Sequence, residues 1–245
     1  MNNLKFPRQL RLQKTERRVE LIQAFYEQHH LNRDIHDAKD REKKIRFFTE
    51  FLSNQDIPED ALGVDLGCRG GALTKEFVDH LDWVGVDIDR QAIELANQSG
   101  VPCEEMDIST AIDFCDQSFH AVLLTEVLEH LPYPNITVQE VHRILKPGGV
   151  FLGSVPIDYH LHRRWAVMRG GRLTGDPTHL HHFSFPELDL LLTHYFEEVT
   201  YQPLRGTAAR NPSWGLSYKH FVRDIAWIAW NPVASPANWN IKVTP

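Results

Sequence analysis

ALGVDLGCRGG, residues 61–71, is the stretch that decides the fold of this chain. Its first six residues are mostly apolar and predict a short buried strand. The glycines that follow predict a tight turn, because glycine adopts backbone conformations that other residues avoid. The apolar spacing over residues 72–81 then predicts a helix. A strand, a glycine turn and a helix form the first half of a βαβ unit, and such a turn commonly binds a nucleotide-like ligand.

The residues of this turn favour a cationic ligand over a dinucleotide. The dinucleotide pattern GxGxxG is absent, since Arg69 stands two residues after Gly67. Asp65 lies two residues before Gly67, at the end of the predicted strand. A carboxylate there would repel a pyrophosphate, but it would attract an ammonium or sulfonium group. A tight turn without any ligand is the alternative at this point.

Two further predicted strands also lead into carboxylates. The segment 83–87 ends in Asp87, 22 residues after Asp65, and the segment 101–106 is followed by Asp107. An acid about 20 residues beyond the first turn is well placed to contact ribose hydroxyls. Each acid has the alternative role of capping the helix that follows it. A ligand at the carboxyl edge of the sheet explains all three acids more simply.

Together with later segments, this turn resembles the class I S-adenosylmethionine (SAM)-dependent methyltransferases. The turn is similar to the D-L-G-C-G-x-G of that family, with Arg69 in place of the middle glycine. Residues 116–149 contain DQSFHAV, EVLEH and RILKPGG, which resemble the family's D-x-S-F-D-x-V, E-V-L-E-H and R-x-L-K-P-G-G in order and spacing. His120 departs from the family's aspartate. The pattern THxxxFS at residues 178–184 is similar to the small-molecule and glycan branches of the family.

The resemblance implies an α/β fold, with a Rossmann-like, mostly parallel seven-stranded sheet, helices on both faces and an N-terminal helical extension. We expect that extension, which could act as a lid, at residues 1–57. The SAM-binding core follows at residues 58–205. A C-terminal helix and a last strand at residues 206–245 are expected to complete the same domain.

The individual elements follow from apolar periodicity and from turn residues. The predicted helices cover residues 8–30, 37–53, 72–81, 90–98, 135–145, 184–195 and 216–230. The predicted strands cover residues 61–66, 83–87, 101–106, 119–125, 150–155, 196–201 and 238–243. Residues 146–149 predict a turn. Residues 156–182 form a long irregular segment, and such loops in compact domains are usually functional or disordered.

The resemblance also assigns the contacts of SAM, the implied cofactor, residue by residue. Asp65 would receive the methionine ammonium group and Asp87 the ribose hydroxyls, with Asp107 near the adenine amino group. The other implied contacts are the turn residues Gly67, Cys68 and Gly71, the adenine neighbours Ile88, Met106 and Ile108, and the methionine neighbours Thr125 and Glu126.

Two histidines are candidate general bases for a hydroxyl acceptor. His130 follows the fourth predicted strand and His179 belongs to the long irregular segment, and the imidazole pKa suits this role. A structural hydrogen bond is the alternative role of each histidine.

A single metal ion is a sharper alternative for the same residues. Its ligands would be Glu126, Glu129 and His130, with His179, His181 or His182 as the fourth. Two carboxylates and imidazole suit Mg²⁺ or Mn²⁺. This arrangement resembles Mg²⁺-dependent small-RNA 2′-O-methyltransferases and ubiquinone-pathway O-methyltransferases. Since E-V-L-E-H also occurs in members of the family without a metal, we expect none here.

Charge and composition restrict the partners. The net charge is −7, although residues 1–50 carry 12 Lys/Arg against 8 Asp/Glu. An RNA methyltransferase that uses this basic arm is one competing function, but the acidic body of the chain argues against a nucleic-acid partner. A non-catalytic SAM-fold module that binds through the Trp-rich C-terminal region is another. That region is also a candidate homodimer surface, and ordinary core packing is its simplest explanation.

Three scattered cysteines suit a reducing compartment, and no apolar run is long enough to span a membrane. We therefore expect a cytoplasmic enzyme that methylates a hydroxyl of a small molecule or glycan.

Overall fold

A seven-stranded sheet forms the centre of the computed structural model, which describes residues 38–173, 176, 178–206 and 221–234. The strands are β1 (Leu62–Leu66), β2 (Asp82–Asp87), β3 (Cys103–Glu105), β4 (Phe119–Thr125), β5 (Leu145–Pro156), β6 (Phe196–Gly206) and β7 (Val222–Pro232). Their order across the sheet is β3-β2-β1-β4-β5-β7-β6. Strand β7 runs antiparallel to both of its neighbours, β5 and β6, and the other pairs of neighbouring strands are parallel. The predicted mostly parallel, Rossmann-like fold is therefore confirmed.

Helices cover both faces of this sheet. The described α-helices are α1 (Ala38–Leu52), α2 (Arg90–Gln98), α3 (Pro134–Ile144), α4 (Leu161–Met168) and α5 (Phe185–Tyr195), and short 3₁₀ helices occupy Thr74–Phe77 and Leu128–His130. On one face, Phe48 of α1 packs in a core with Trp83 and Leu123. On the other face, Val138 of α3 and Leu188 of α5 belong to the larger core. Strands buried on both faces explain their nearly continuous apolar sequences.

The helix predicted at residues 216–230 is wrong, because Val222–Pro232 forms β7. The five residues 225–229, IAWIA, are all buried between β5 and β6. A short run that is apolar on every side has no periodicity that separates a buried strand from a buried helix. The strand predicted at residues 238–243 and the helix predicted at residues 8–30 lie outside the described residues.

Three smaller predictions also differ from the structure. The helix expected at residues 72–81 is reduced to one 3₁₀ turn, Thr74–Phe77, in which only Thr74 and Phe77 are buried. The turn expected at residues 146–149 is an irregularity inside β5, where the pairing with β4 shifts register. The irregular segment 156–182 contains a helix, α4. In each case, contacts with other parts of the protein decide the local structure, and the apolar periodicity of the segment alone does not reveal them.

Parts of both terminal regions are integral to the core. Helix α1 buries Phe48 and Leu52 against the sheet, so this portion of the expected lid is fixed packing. Trp227 is fully buried and Trp230 is partly buried against Phe51, which supports core packing for these two tryptophans. Among the described helices, none is long and apolar enough to cross a membrane.

Candidate functional site

The glycine turn after β1 is held against the end of β2 by backbone hydrogen bonds. The N–H groups of Gly67 and Cys68 both donate to the carbonyl oxygen of Val86, at 2.8 and 3.1 Å. Gly67 has a φ of +83°, and a Cβ atom there would lie 2.7 Å from Val127. Gly71 likewise has a φ of +70°. Glycine suits both positions because side chains disfavour this backbone region.

Arg69 adopts the backbone conformation that the family's glycine would favour. Its φ is +48°, in the left-handed region, which costs a non-glycine residue roughly 1–2 kcal/mol. The Arg69 N–H group donates to Oδ2 of Asp87 at 2.8 Å, and this bond holds the turn in place. Arg69 therefore occupies a backbone position that favours glycine and adds a side chain to the turn.

Cys68 contributes backbone to the turn, while its side chain points into the protein. Its Sγ atom lies 3.0 Å from Sγ of Cys103, and both thiols are buried. The hydrogen bond with Cys103 and the burial together hold the pKa of Cys68 above its usual range. A neutral, buried thiol leaves only the backbone of Cys68 for the cofactor contact that the resemblance implies.

Asp65, the second-to-last residue of β1, is almost completely buried, with 3% of its surface exposed. Thr74 donates its hydroxyl to Oδ2 of Asp65 at 2.5 Å. Burial raises the pKa of Asp65 to about 7; the bond from Thr74 opposes this rise and the nearby Asp87 adds to it. An ammonium group arriving beside Asp65 would therefore meet a carboxyl group that is ready to ionise near neutral pH.

Asp87 joins the first and second turns through its carboxylate. One oxygen accepts from the N–H group of Arg69, and the other accepts from Ile88 and Asp89 at 2.7 and 2.9 Å. The cap of α2 is a different residue, Asp89, which accepts from Gln91 and from Ala92. Helix capping therefore does not account for Asp87, which lies at the end of β2 beside the glycine turn.

The third acid and its neighbours lie beyond β3. Asp107 is partly exposed and accepts a hydrogen bond from the N–H group of Ser109 at 2.8 Å, so the local turn explains part of its role. Met106 and Ile108 on either side are buried in the larger core. Ile88, the other expected adenine neighbour, is only partly buried.

The end of β4 carries a strained residue and a lysine from another element. Glu126, which follows Thr125, has a φ of +55° and its N–H group donates to the carbonyl oxygen of Ser154. Its Oε1 accepts from the hydroxyl of Ser154 at 2.6 Å and lies 3.3 Å from Nζ of Lys44. Lys44 also donates to the Ser154 hydroxyl at 3.1 Å, and only 12% of its side chain is exposed.

Sequence reasoning missed both Lys44 and Ser154. Ser154 lies on β5 directly beside Thr125 of β4, a pairing that the strand order predicts once the family is known. Lys44 lies on α1, 82 residues from Glu126. Nothing in its local pattern separates it from the other charged residues of that helix, so only the docking of α1 reveals it.

The two candidate bases lie next to each other, although 49 positions separate them in the chain. The rings of His130 and His179 are 4.9 Å apart and nearly perpendicular. Nδ1 of His130 lies 3.1 Å from the carbonyl oxygen and 3.0 Å from the hydroxyl of Thr178. His179 contacts two acids, with Nε2 at 3.4 Å from Asp176 and Nδ1 at 3.9 Å from Asp158.

Backbone hydrogen bonds fix this arrangement of the long segment. The carbonyl oxygen of Glu129 accepts from the N–H groups of Leu180 and His181, at 2.8 and 3.0 Å. The side chain of His182 contacts Asp158 at 2.9 Å. Burial alone would raise the pKa of Asp158, but His179 and His182 hold it below its usual range.

Glu129, His130 and His179 form a cluster whose ligand atoms all lie within 4.8 Å of one another. Oε2 of Glu129 and Nδ1 of His179 are buried and make no hydrogen bond within the described structure. Burial and the nearby Glu126 hold the pKa of Glu129 well above its usual range. A buried carboxylate oxygen without a partner is costly unless it is protonated or bound by a cation.

The structure selects among the ligands that the sequence proposed for a metal. Glu126 contacts Ser154 and Lys44, and His181 contacts the carbonyl oxygen of Pro132 at 3.0 Å. Neither belongs to the cluster of Glu129, His130 and His179. One carboxylate and two imidazoles are a donor set that fits a divalent transition metal better than Mg²⁺, which prefers oxygen ligands.

Comparison with known proteins identifies a family whose members resemble part of this chain. Residues 64–153 match the family described as a methyltransferase domain. The ubiquinone biosynthesis O-methyltransferase of Pseudomonas syringae pv. tomato is 34% identical over 101 residues, which cover 38% of this chain and 43% of that protein. The match therefore covers less than half of the length of this curated relative.

Solved structures share the fold at low sequence identity. A SAM-dependent methyltransferase from Archaeoglobus fulgidus has a TM-score of 0.57 and 16% identity, and covers 78% of this chain and 94% of its own. Phosphoethanolamine N-methyltransferase 2 of Haemonchus contortus, solved with SAM, has a TM-score of 0.55 and 11% identity, over 77% of this chain and 52% of its own. At such identities these likenesses support the fold alone.

Proposed function

Because residues 64–153 belong to the class I SAM-dependent methyltransferases, we propose that this chain transfers a methyl group from SAM to a hydroxyl of a small molecule or glycan. SAM is the methyl donor of this family. The observation that carries the proposal is the convergence of Asp65, Asp87 and the glycine turn at the edge where β1, β2 and β4 end. The name of the Pseudomonas relative supports oxygen as the acceptor atom.

The cofactor contacts are proposals that extend the resemblance onto this geometry. Asp65 would hold the methionine ammonium group, and Asp87 the ribose hydroxyls while it keeps the two turns together. Gly67, Cys68 and Gly71 would supply backbone close to the ligand. Ile88, Met106, Asp107 and Ile108 would surround the adenine, and Thr125 and Glu126 would lie beside the methionine portion.

The reaction requires that the acceptor hydroxyl be oriented toward the methyl group of SAM and that one group accept the hydroxyl proton. The acceptor oxygen attacks the methyl carbon of SAM, the bond from that carbon to sulfur breaks, and S-adenosylhomocysteine leaves. The hydroxyl proton passes to an imidazole nitrogen of His179 or His130. Asp158 and Asp176 beside His179 would stabilise the imidazolium ion that forms, and such a base contributes roughly 10²–10⁴-fold to the rate.

A divalent cation is the second candidate for this chemistry, favoured by the unpartnered Oε2 of Glu129. Glu129, His130 and His179 would hold it. A bound cation would lower the pKa of the acceptor hydroxyl, so that a separate base becomes unnecessary. In that case His130 and His179 would hold the cation and would not accept the proton.

The competing functions have weaker support. The RNA alternative depends on a basic arm that lies mostly outside the described residues. The departure of Arg69 from the family's glycine would support the non-catalytic alternative, but the backbone of Arg69 adopts a conformation that glycine favours, which weakens that argument. A homodimer and a cytoplasmic location stay predictions from the sequence.

Calorimetry with SAM, followed by transfer of a labelled methyl group to phenols, sugars and oligoribonucleotides, tests the proposal. We expect SAM to bind and NAD not to bind, and Asp87→Ala to weaken SAM binding. Transfer to RNA alone would replace the acceptor class, and an unchanged SAM affinity in Asp87→Ala would refute the assignment of the ribose contact.

His179→Ala tests the base. It should lower kcat by roughly 10²-fold or more with little change in SAM affinity, while His162→Ala, an exposed histidine of the same segment, should change neither. The sequence predicts that EDTA leaves the activity unchanged. Loss of activity in EDTA, with Mn²⁺ binding that Glu129→Gln abolishes in calorimetry, would establish the cation candidate instead.

A further inference from the structure

Helix α4 lies on the surface without burying any side chain. Its eight residues, Leu161–Met168, include none that is buried. Three large apolar side chains are at least half exposed: Leu161 at 50%, Trp165 at 56% and Met168 at 71%. A helix of a soluble protein normally turns its apolar side toward the core, whereas the large apolar side chains of α4 face the solvent.

Three of the apolar residues of α4 form one continuous stripe. Positions 161, 165 and 168 follow the i, i+4, i+7 spacing that places side chains on a single face of a helix. Arg163 and Ala166, which are partly buried, lie on the opposite face and therefore mark the side that touches the protein. The stripe of Leu161, Trp165 and Met168, here called the apolar stripe, consequently points away from the body of the molecule.

Positive charge surrounds the apolar stripe. Residues 159–175 contain four arginines and no Asp or Glu, in a chain whose net charge is −7. Arg164 and Arg169 lie on either side of the stripe by helical position. The guanidinium group of Arg169 lies 5.5 Å from the centre of the Trp165 ring. The two arginines therefore place positive charge next to the exposed apolar surface.

The N-terminal end of the helix is anchored in the protein, and hydrogen bonds within the same segment brace the helix. His160, the residue before α4, is buried. Arg163 donates to the carbonyl oxygen of Leu173 at 2.6 Å, and Arg164 donates to that of Tyr159 at 2.6 Å. The apolar stripe is therefore presented on a defined surface and not on a loose loop.

We propose that α4 binds the surface of a lipid bilayer that carries anionic head groups. A helix that lies in the interface inserts a few apolar side chains and leaves arginines among the phosphates, and tryptophan favours this depth. A stripe of three side chains is too small for a stable protein interface, which buries about 800 Å² on each partner. The local charge fits an anionic surface, where each Arg adds substantially to the attraction.

Co-sedimentation of the full chain with vesicles tests this proposal. We expect binding to phosphatidylcholine vesicles that contain about one third phosphatidylglycerol, much weaker binding to phosphatidylcholine alone, and release by salt. The variant Trp165→Ser with Met168→Ser should bind at least tenfold more weakly, as should Arg164→Gln with Arg169→Gln.

Leu95→Ser and Leu190→Ser are the matched controls, since these leucines are 58% and 63% exposed on other helices. Both should bind vesicles as the unchanged chain does. Absence of binding, equal binding by the Trp165/Met168 variant, or equal loss in the controls would overturn the proposal. A dimer in solution that Trp165→Ser dissociates would assign the stripe to a second copy of the chain and would also overturn it.

Discussion

Asp65 carries the buried carboxyl group whose protonation should control cofactor binding. The pKa of Asp65 is raised to about 7 from 3.8, chiefly by burial. Below pH 7 this group is therefore largely protonated in the folded chain. An ammonium group beside it favours the carboxylate, so binding of SAM must release a proton in that range.

SAM affinity should consequently rise with pH up to about 7, by as much as about tenfold per pH unit. It should fall again above about pH 8, where an α-amino group loses its charge. Calorimetry between pH 5.5 and 9, repeated in buffers of different ionisation enthalpy, measures both the affinity and the released proton. Asp65→Asn should bind more weakly and lose the acidic limb. If that limb is unchanged in Asp65→Asn, the ammonium contact lies elsewhere.

Lys44 places a positive charge at the end of β4, beside Glu126 and Ser154. Replacing it by methionine keeps most of the side-chain volume and removes the charge. We expect Lys44→Met to lower kcat/KM by roughly tenfold or more, since the loss of one charge-assisted hydrogen bond is worth about 1.5–3 kcal/mol.

Lys43→Met is the control for Lys44→Met. Lys43 lies on the same helix and also donates to the sheet, at 2.6 Å from the carbonyl oxygen of Leu204. Both variants should lose comparable stability in urea unfolding, but only Lys44→Met should lose turnover. Equal turnover in the two would show that Lys44 serves only to dock α1.

At the level of elements, β5 and β7 pack so closely that one position between them requires glycine. A Cβ atom on Gly153 would overlap the indole ring of Trp227 and lie 2.8 Å from the carbonyl oxygen of Leu124. Trp227 is fully buried and cannot move aside without displacing Phe151, with which its ring is in contact. The pairing of β5 with β7 therefore depends on a small residue, Gly153, opposite a large one, Trp227.

Gly153→Ala should lower the free energy of unfolding by about 1–3 kcal/mol or more, as overpacking of a core does. Gly70→Ala is the control, because its Cβ atom would meet Leu95 at an ordinary 3.6 Å. Urea unfolding followed by far-UV circular dichroism measures both. A Gly153→Ala chain as stable as the Gly70→Ala chain would mean that β5 and β7 can separate without cost.

For the molecule as a whole, the sequence was sufficient for the fold class and for the edge of the sheet that carries the site. The motifs occur in chain order, and in a parallel sheet that order alone brings Asp65, Asp87 and Glu126 to one edge. Contacts between remote elements were not predictable. Lys44 reaches Glu126 through the docking of α1, and His179 meets His130 through the path of a long loop. Strand β7, which lies between β5 and β6, was mistaken for a helix because burial on both faces removes the alternation that identifies most strands.

The position of β7 has a consequence for how this protein is made. β7 fills the gap between β5 and β6, although it follows both in the chain. On the ribosome, β5 and β6 are therefore synthesised before the strand that joins them, and each has an unpaired edge until β7 emerges. Unpaired edges of apolar strands are sites of aggregation and chaperone binding. Until β7 has emerged and docked, both edges stay open, so a delay at this step should lower the yield of folded protein.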